Sequence, residues 1–151
     1  MKTIKYISLL LIAILGLSSC QDDDYEVGTP FNKVEGVMGD WSVKSVLLMN
    51  EAGEQMDITS YFDFATFKIN FKDDNTFEVT GNAPDFIGMA TGTWSLDDVE
   101  APMTVLLKNG DAESQFGLVA PPRKGTNLKI KYVRMVGDEA IATYIYELSQ
   151  N

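Results

Sequence analysis

Apolar and polar residues alternate along most of the chain beyond Asp40, and this two-residue period is typical of β-strands with one buried face. The first such run is DWSVKSVLLM, where alternation puts five side chains on one face: Trp41, Val43, Ser45, Leu47 and Met49. Similar runs recur to the end of the chain, the last being AIATYIYEL. The pattern predicts about seven or eight short strands and no amphipathic segment of helical length.

Turn residues separate these runs and indicate how the strands are joined. The runs TFKINF and TFEVTG flank the turn KDDN at residues 72–75, which is a strong hairpin signal. Asn109-Gly110-Asp111 and Gly137-Asp138-Glu139 mark two further tight turns. Closely spaced hairpins predict an all-β fold, an antiparallel meander that either closes into a small barrel or folds into two packed sheets.

The N-terminal segment has the organisation of a secretory signal peptide. Lys2 and Lys5 give it a positive start, and residues 6–17 are almost wholly apolar. This apolar run is shorter than the roughly 20 residues that a membrane-spanning helix needs, but it fits the core of a signal peptide. We therefore expect residues 1–19 to be removed from the mature protein.

The only cysteine of the chain, Cys20, follows this segment directly. Leu17-Ser18-Ser19-Cys20 resembles the lipobox of bacterial lipoproteins. The resemblance implies that Cys20 is lipidated and begins the mature chain, so that acyl chains hold the protein on a membrane. The alternative is an ordinary secreted protein with an unpaired thiol.

Residues 20–39 contain acids, Gly and Pro without a clear period, so we interpret them as an acidic tether. The β domain is then expected at residues 40–151. Within the tether, Phe31, Val34 and Met38 have the spacing of one helix face, so a short helical turn packed under the domain is an alternative for residues 31–38.

The chain is strongly acidic. It has 12 basic and 22 acidic residues, which gives a formal charge of −10. Loss of Lys2 and Lys5 with the signal peptide leaves 10 basic against 22 acidic residues, or −12. Such acidity argues against binding to nucleic acid or to an anionic lipid surface through bulk electrostatics.

Four features occur along the chain in a characteristic order: Gly39-Asp40-Trp41, the hairpin from Phe71 to Phe77, the run from Thr91 to Trp94, and Tyr144-Ile145-Tyr146. In this order they resemble the lipocalin-like domains of Bacteroidota lipoproteins, a group that includes families of unknown function. The resemblance implies a lipocalin-like barrel over nearly the whole mature domain. By analogy with that group, it also implies an accessory role beside a nutrient- or glycan-uptake system.

The acids that follow Cys20 fit the same group. The residues Gln21, Asp22, Asp23 and Asp24 resemble the acidic signal that sends Bacteroidota lipoproteins to the outer face of the outer membrane. The resemblance implies a lipid-anchored protein that faces the cell exterior. The alternative is that these acids are merely a solvated linker.

The sequence offers little catalytic chemistry. It has no histidine, which excludes Ser-His-Asp and Cys-His catalysis as well as zinc sites built on histidine. The acid pairs Asp73-Asp74, Asp97-Asp98 and Asp138-Glu139 lie in predicted turns, where Asp bonds its own backbone. We therefore expect a non-enzymatic protein without catalytic residues, cofactor or metal. A carboxylate hydrolase is the less favoured alternative, because the strand acids Glu78 and Glu147 fall on polar faces.

Two groups of apolar residues are candidates for binding. Trp41 and Trp94 either line a pocket for a sugar or a small hydrophobic ligand or fill the core. Phe86, Ile87 and Met89 lie in a loop at residues 82–91. That loop is either a lid over the core or an exposed patch that docks on a protein partner.

Basic residues are concentrated in one part of the chain. Five of them make a stripe: Arg123, Lys124, Lys129, Lys131 and Arg134. Lys129 and Lys131 alternate on one predicted strand, where they either pair with acids of neighbouring strands or bind an anionic ligand or an acidic partner.

Two functional hypotheses follow. The first is a surface-exposed outer-membrane lipoprotein that acts as a non-enzymatic binding or accessory module. The second is a structural or interaction protein with a solid core, which docks on a partner through the loop at residues 82–91. They differ in what they require, since a binding module needs interior space and a docking loop needs exposed apolar side chains.

Overall fold

The computed structural model of the chain describes residues 30–61, 63–64 and 66–151. Cys20, the acids at residues 21–24 and the predicted signal peptide lie outside the described residues. The compact unit that is described extends from Phe31 to Asn151. Within these residues, no helix has the length and hydropathy needed to cross a membrane.

The described residues form nine strands, one short α-helix and one 3-10 turn. The helix α1 comprises Lys33–Val37, and the 3-10 turn comprises Thr59–Tyr61. The strands are β1 (Gly39–Met49), β2 (Gln55–Asp57), β3 (Lys68–Phe71), β4 (Thr76–Thr80), β5 (Thr91–Leu96), β6 (Thr104–Asn109), β7 (Ala112–Leu118), β8 (Leu128–Val136) and β9 (Glu139–Gln150). The prediction of an all-β antiparallel fold is confirmed, whereas β2 and the 3-10 turn were not predicted.

The sheet closes on itself because β1 pairs along both of its edges. On one edge, residues 39–42 pair with β3 and residues 47–49 pair with β2. On the other edge, β1 pairs with β9 over residues 41–49. Because β2 and β3 share one position beside β1, the nine strands make a closed eight-stranded antiparallel barrel. Of the two predicted arrangements the barrel is correct, and it is consistent with a small lipocalin-like fold.

A bulge in β1 changes which of its residues face the core. The register with β9 shifts between Val43 and Ser45. Before the bulge Trp41 is buried, and after it Val46 is fully buried and Leu48 packs against the core. The expectation that the odd-numbered residues stay on one face to the end of β1 is therefore wrong, because one extra residue inverts the alternation.

The helix α1 covers one end of the barrel, which we call the helix end. The side-chain oxygen of Asn32 caps α1 by accepting hydrogen bonds from the N–H groups of Val34 and Glu35, at 3.0 and 3.3 Å. Val37 is fully buried. The predicted helical turn therefore forms, but Phe31 remains 64% exposed and Val37 takes the core position.

Two tryptophans fill the barrel near the helix end. Trp41 is buried and donates its indole N–H to the Val37 carbonyl at 2.7 Å. Trp94 is also buried and donates to the Lys72 carbonyl at 3.1 Å. Its ring packs edge-on against Phe71, with centroids 5.3 Å apart. Each indole N–H is thus satisfied inside the core, as a buried tryptophan requires.

The opposite end of the barrel, which we call the cavity end, carries the segments 50–67, 81–90, 110–111 and 137–138. This follows from the antiparallel pairing of neighbouring strands, which brings alternate connections to the same end. The segment 50–67 contains β2 and the 3-10 turn. Since α1 covers only the helix end, the interior is reached from the cavity end.

Candidate ligand-binding cavity

A cavity of about 590 Å³ lies at the cavity end of the barrel. Its wall combines the segment after β2, the 81–90 connection and facing stretches of β8 and β9. The lining residues are Ile58, Asp63, Phe64, Asn82, Ala83, Pro84, Asp85, Phe86, Tyr132, Arg134, Tyr144 and Tyr146. This volume falls in the range of small-molecule sites, roughly 300–1,000 Å³.

Three tyrosines of the last hairpin form one wall of the cavity. Tyr132 of β8 lies directly opposite Tyr144 of β9, and Tyr146 follows two residues further along β9. This pairing depends on a bulge between Arg134 and Met135, which shifts the register by one residue. Because residues two apart share a face, Arg134 stands beyond Tyr132 at the rim of the same wall.

Phe86 connects the tyrosine wall to the core. Its ring stacks on Tyr132, with centroids 4.6 Å apart and planes 13° apart. It also approaches Tyr146 at 5.5 Å and Phe116 at 6.3 Å. Phe64 meets Tyr146 edge-on at 5.8 Å. The aromatic surface of the cavity is therefore continuous with the packed interior.

The apolar residues of the loop at 82–91 point inward. Ile87 is fully buried, and Phe86 and Met89 are partly buried against the core. The loop therefore forms a lid on the barrel, which is one of the two predicted alternatives. The other alternative, an exposed patch that docks on a partner, loses its main support because Ile87 is buried and the core uses part of the apolar surface of Phe86 and Met89.

The lid is held where β7 and β8 separate. These strands pair with each other only at Gly117 and Leu118. Nearer the cavity, Ser114 of β7 donates its hydroxyl hydrogen to the Phe86 carbonyl, while Tyr132 of β8 stacks on the Phe86 ring. Phe86 therefore bridges β7 and β8 where these strands do not pair with each other.

Tyr146 presents its hydroxyl to the cavity. The residue is only 5% exposed, and no hydrogen bond among the described residues involves its hydroxyl or those of Tyr132 and Tyr144. In that part of the chain no side-chain N or O is both fully buried and unbonded, so the Tyr146 oxygen must reach the cavity. Burial raises the pKa of Tyr146 to about 12, with smaller contributions from Tyr144, Asp85 and Tyr132. The hydroxyl is therefore neutral at physiological pH.

Three charged side chains stand at the rim of the cavity. Asp63, Asp85 and Arg134 are all exposed. No ion pair among the described residues includes any of them. Their charges are therefore free to act on a ligand, and the two carboxylates outnumber the one guanidinium.

Neither predicted tryptophan lines this cavity. Trp41 and Trp94 belong to the core, which is the alternative to ligand stacking that the sequence left open. Trp94 does border a second hollow of about 500 Å³ along β5, β6 and β7, but its other lining residues are aliphatic or polar. The aromatic character of the first cavity comes instead from Phe and Tyr.

Lys129 and Lys131 lie on the outer face of β8, away from the cavity. Lys129 is 3.5 Å from Glu147 on the neighbouring strand, as expected for cross-strand pairing. Lys131 forms no ion pair among the described residues, and its stem lies across Gly117. Of the predicted basic stripe, only Arg134 reaches the cavity.

Glu147 is an outward-facing structural acid. Its carboxylate accepts hydrogen bonds from Lys44 at 2.8 Å and from Asn127 at 2.6 Å. The hydrogen bond from Lys44 contributes most to lowering the pKa of Glu147 to about 2, and the bond from Asn127 contributes next. The charge of Lys129 adds to the effect. Glu147 thus stays ionised and paired rather than acting as a catalytic acid.

The acids of the predicted turns bond to the backbone. Asp74 accepts from the hydroxyl and N–H of Thr76, at 2.6 and 2.9 Å. Asp97 accepts from the N–H groups of Met103 and Thr104, at 3.0 Å each. The bond from Thr76 lowers the pKa of Asp74, and that from Thr104 lowers the pKa of Asp97. Within the described residues, no group of three or more acids, cysteines or histidines could hold a metal ion.

Several cavity residues escaped sequence analysis. Asp63, Phe64 and Asp85 lie in irregular segments whose place in the fold no alternation pattern reveals. The tyrosines could have been found from their two-residue spacing: Tyr132 and Arg134 precede the Gly137 turn, and Tyr144 and Tyr146 follow it. That spacing predicts one shared face on a hairpin once the bulge is known.

Comparison with known proteins gives a family but no characterised relative. A family model described as a domain of unknown function (DUF5004) matches residues 18–148. No curated protein matches the chain significantly. The expectation of a family of unknown function is confirmed, whereas the Bacteroidota origin and the lipid anchor stay predictions.

Proposed function

The chain belongs to the DUF5004 family, and on that premise we propose that it is a non-enzymatic binding module, anchored to the outer membrane through lipid on Cys20. The observation that carries the proposal is the cavity of about 590 Å³. Its wall is aromatic and continuous with the core, yet among the described residues its Tyr146 hydroxyl has no hydrogen bond and its charged groups form no ion pair. Such a mixture of apolar surface and a few free polar groups is typical of ligand sites.

The proposed location rests on the N-terminal sequence. Cys20 ends a lipobox-like segment, and residues 21–24 resemble an export signal. The protein would then stand on the outer face of the outer membrane, with its barrel held away from the lipid by the segment that follows Cys20. A role beside a nutrient- or glycan-uptake system remains an analogy with similar lipoproteins.

The cavity also contains the two carboxylates that a glycoside hydrolase would need. Asp63 and Asp85 are both exposed, however, whereas the general acid of such an enzyme is held in a desolvated site. We therefore assign both carboxylates to binding rather than to catalysis.

Filling the cavity tests the binding function. Ala83 is exposed and lines the cavity, so Ala83→Trp would occupy the ligand space without burying a new group in the core. Ala101→Trp, at an exposed position of the helix end, is the matched control. A neutral naphthyl dye titrated into the full-length protein should bind the wild type and the control, and bind Ala83→Trp about tenfold more weakly or worse. Equal binding by all three proteins, or none by the wild type, would overturn the proposal.

The location is tested separately. Cys20→Ala should release the protein from the membrane fraction, because the thiol that carries the lipid is gone. Replacing Asp22, Asp23 and Asp24 by Ala should leave the protein on the membrane but reduce its cleavage by protease added to intact cells. Unchanged cleavage would show that these acids are not an export signal.

A further inference from the structure

We propose that the cavity binds a small organic cation, that is, an ammonium group attached to an apolar body. This inference rests on the proposed binding function and names the class of ligand. Three features of the cavity end support it: the aromatic wall with its hydroxyls, the carboxylates at the rim, and the distribution of acids among the connections.

The aromatic wall suits both parts of such a ligand. Tyr132, Tyr144 and Tyr146 line the cavity, and one face of Tyr132 is covered by Phe86. An aromatic ring attracts an ammonium group that lies over an open face within about 6 Å of the ring centroid. Phe64 and Phe86 widen the wall and provide the apolar surface for the body of the ligand. Walls that combine several aromatic rings are an established means by which proteins recognise quaternary ammonium groups.

The Tyr146 hydroxyl shows that the cavity is prepared for a polar partner. The side chain is more than nine-tenths buried, and its oxygen has no hydrogen-bond partner among the described residues. No side-chain N or O of these residues is both fully buried and unbonded, so this oxygen reaches the cavity, where water or a ligand can bond it. An ammonium N–H would donate to this oxygen in place of water.

The carboxylates of Asp63 and Asp85 stand at the rim of the cavity. Asp85 is near enough to Tyr146 to contribute to the raised pKa of that hydroxyl, and Asp63 lines the same cavity. Neither forms an ion pair among the described residues. The positive charge of Arg134 at the rim repels a cation. Substitution of Arg134 therefore reports the sign of the ligand charge.

The connections at the two ends of the barrel differ in charge. Those at the cavity end contain no Lys or Arg, and their acids are Glu51, Glu54, Asp57, Asp63, Asp85, Asp111 and Asp138. Those at the helix end, at residues 72–75, 97–103 and 119–127, contain both signs: Lys72, Arg123 and Lys124 with Asp73, Asp74, Asp97, Asp98 and Glu100. Although Arg134 of β8 also stands at the rim, the connections around it add only negative charge. A net negative charge around a low-dielectric cavity concentrates cations and repels anions.

A neutral sugar is the main competing ligand, since it would use the same rings and hydroxyls. It would gain nothing from the net negative charge of the cavity end, however, and its affinity would be insensitive to salt. An anion would meet unpaired carboxylates on its way in. The charge distribution therefore favours the cation over both.

Calorimetric titration of the full-length protein with three probes of one shape tests the ligand class. The probes are 2-phenylethylamine as the cation, 2-phenylethanol as the neutral isostere and phenylacetate as the anion. The amine should bind about tenfold more tightly than the alcohol, and the anion should be weakest. Added salt should weaken binding of the amine and leave binding of the alcohol unchanged.

Charge variants locate the effect in the cavity. Asp85→Asn should weaken amine binding about tenfold and leave alcohol binding unchanged, while Asp73→Asn, at an exposed turn of the helix end, serves as the matched control. Arg134→Gln should tighten amine binding by about threefold, because it removes the like charge at the rim. A circular dichroism spectrum and melting curve for each variant establish that it is folded.

The outcomes separate this inference from the function on which it rests. If the alcohol or methyl glucoside binds as tightly as the amine, or if Asp85→Asn binds the amine like the wild type, the cation assignment is wrong and the binding function stands. If neither these probes nor the naphthyl dye binds, both are wrong. If Arg134→Gln weakens amine binding, Arg134 does not repel the bound ammonium and the cation assignment is wrong.

Discussion

The burial of Ile87 gives a quantitative test of the lid. This residue is fully buried although it lies in a loop between β4 and β5, and its N–H donates to the Pro84 carbonyl at 3.0 Å. Truncation of a fully buried Ile to Ala costs about 2–5 kcal/mol of unfolding free energy. A loop relaxes into the space left by a deleted side chain more readily than a strand does. We therefore expect the unfolding free energy to fall by about 2–3 kcal/mol in Ile87→Ala and by about 1 kcal/mol in Ile87→Val.

Urea unfolding followed by tryptophan fluorescence measures this loss. Trp41 and Trp94 are both buried, so their emission should change as the core opens. With an m-value of about 1.5 kcal/mol/M, the expected loss lowers the midpoint for Ile87→Ala by roughly 1.3–2 M. Circular dichroism should give the same midpoint if unfolding is two-state.

A matched control lies at the other end of the barrel. Val99 also sits in a connection, but it is 63% exposed, so Val99→Ala should change the unfolding free energy by less than about 0.5 kcal/mol. If Ile87→Ala changed the unfolding free energy as little as Val99→Ala does, the loop would not be packed against the core. The docking hypothesis for the loop at residues 82–91 would then regain its basis.

Three further substitutions test other parts of the structure. The pKa of Glu147 is lowered to about 2, so its contribution is present above about pH 4.5 and is lost as the pH falls toward 2. The stability difference between wild type and Glu147→Gln should therefore shrink between pH 5 and about 2.5 in urea unfolding, and a constant difference would contradict the lowered pKa. Trp41→Phe leaves the Val37 carbonyl unbonded and should cost about 2–4 kcal/mol, with faster amide exchange in α1 as the local readout. Gly92→Ala puts a methyl group against the Lys108 carbonyl oxygen and should lower the unfolding free energy by about 1–3 kcal/mol, whereas an unchanged melting temperature would show that β5 and β6 can move apart.

Alternation predicted the strands well because each strand of a small barrel has one buried face. It failed where a bulge adds a residue, since the period then restarts on the other face. In β1 this moved the core positions to Val46 and Leu48. A bulge changes backbone pairing without requiring a particular residue type, so neither bulge could be predicted from the sequence.

The strand β2 escaped prediction for a different reason. Its three residues, 55–57, are all exposed, so they lack the alternation that marks a half-buried strand. It exists because β1 is longer than β3 and leaves residues 47–49 free to pair. Such a strand is determined by the unpaired edge beside it rather than by its own sequence.

Closure of the barrel was also beyond the sequence. The closing pair joins β1 to β9, the first and last strands, and local patterns carry no signal for so distant a contact. The lengths of the two strands give a partial hint, since β1 and β9 are the longest and pair over residues 41–49. The choice between barrel and sandwich therefore needed the structure.

The cavity was predictable only in part, because its residues come from four separate segments. The loop residues Phe86 and Ile87 were identified as candidates, but their apolar character fits a lid and a docking patch equally well. Burial alone separates these alternatives, and burial is a tertiary property. The tyrosines were visible in the sequence, but the bulge after Arg134 decides that Tyr132 and Tyr144 face each other.

The acidity of the cavity end is visible in the sequence, but only the topology gives it meaning. Asp63, Asp85 and Glu51 look like ordinary loop acids. In an antiparallel meander alternate connections meet at one end, so counting strands sorts such acids into two groups. This assignment of connections to the two ends is correct only because β2 and β3 run in the same direction beside β1 and count as one strand. If β2 were counted as a separate strand, Glu51 and Glu54 would be grouped with Arg123 and Lys124, and the end without Lys or Arg would keep four of its acids: Asp63, Asp85, Asp111 and Asp138.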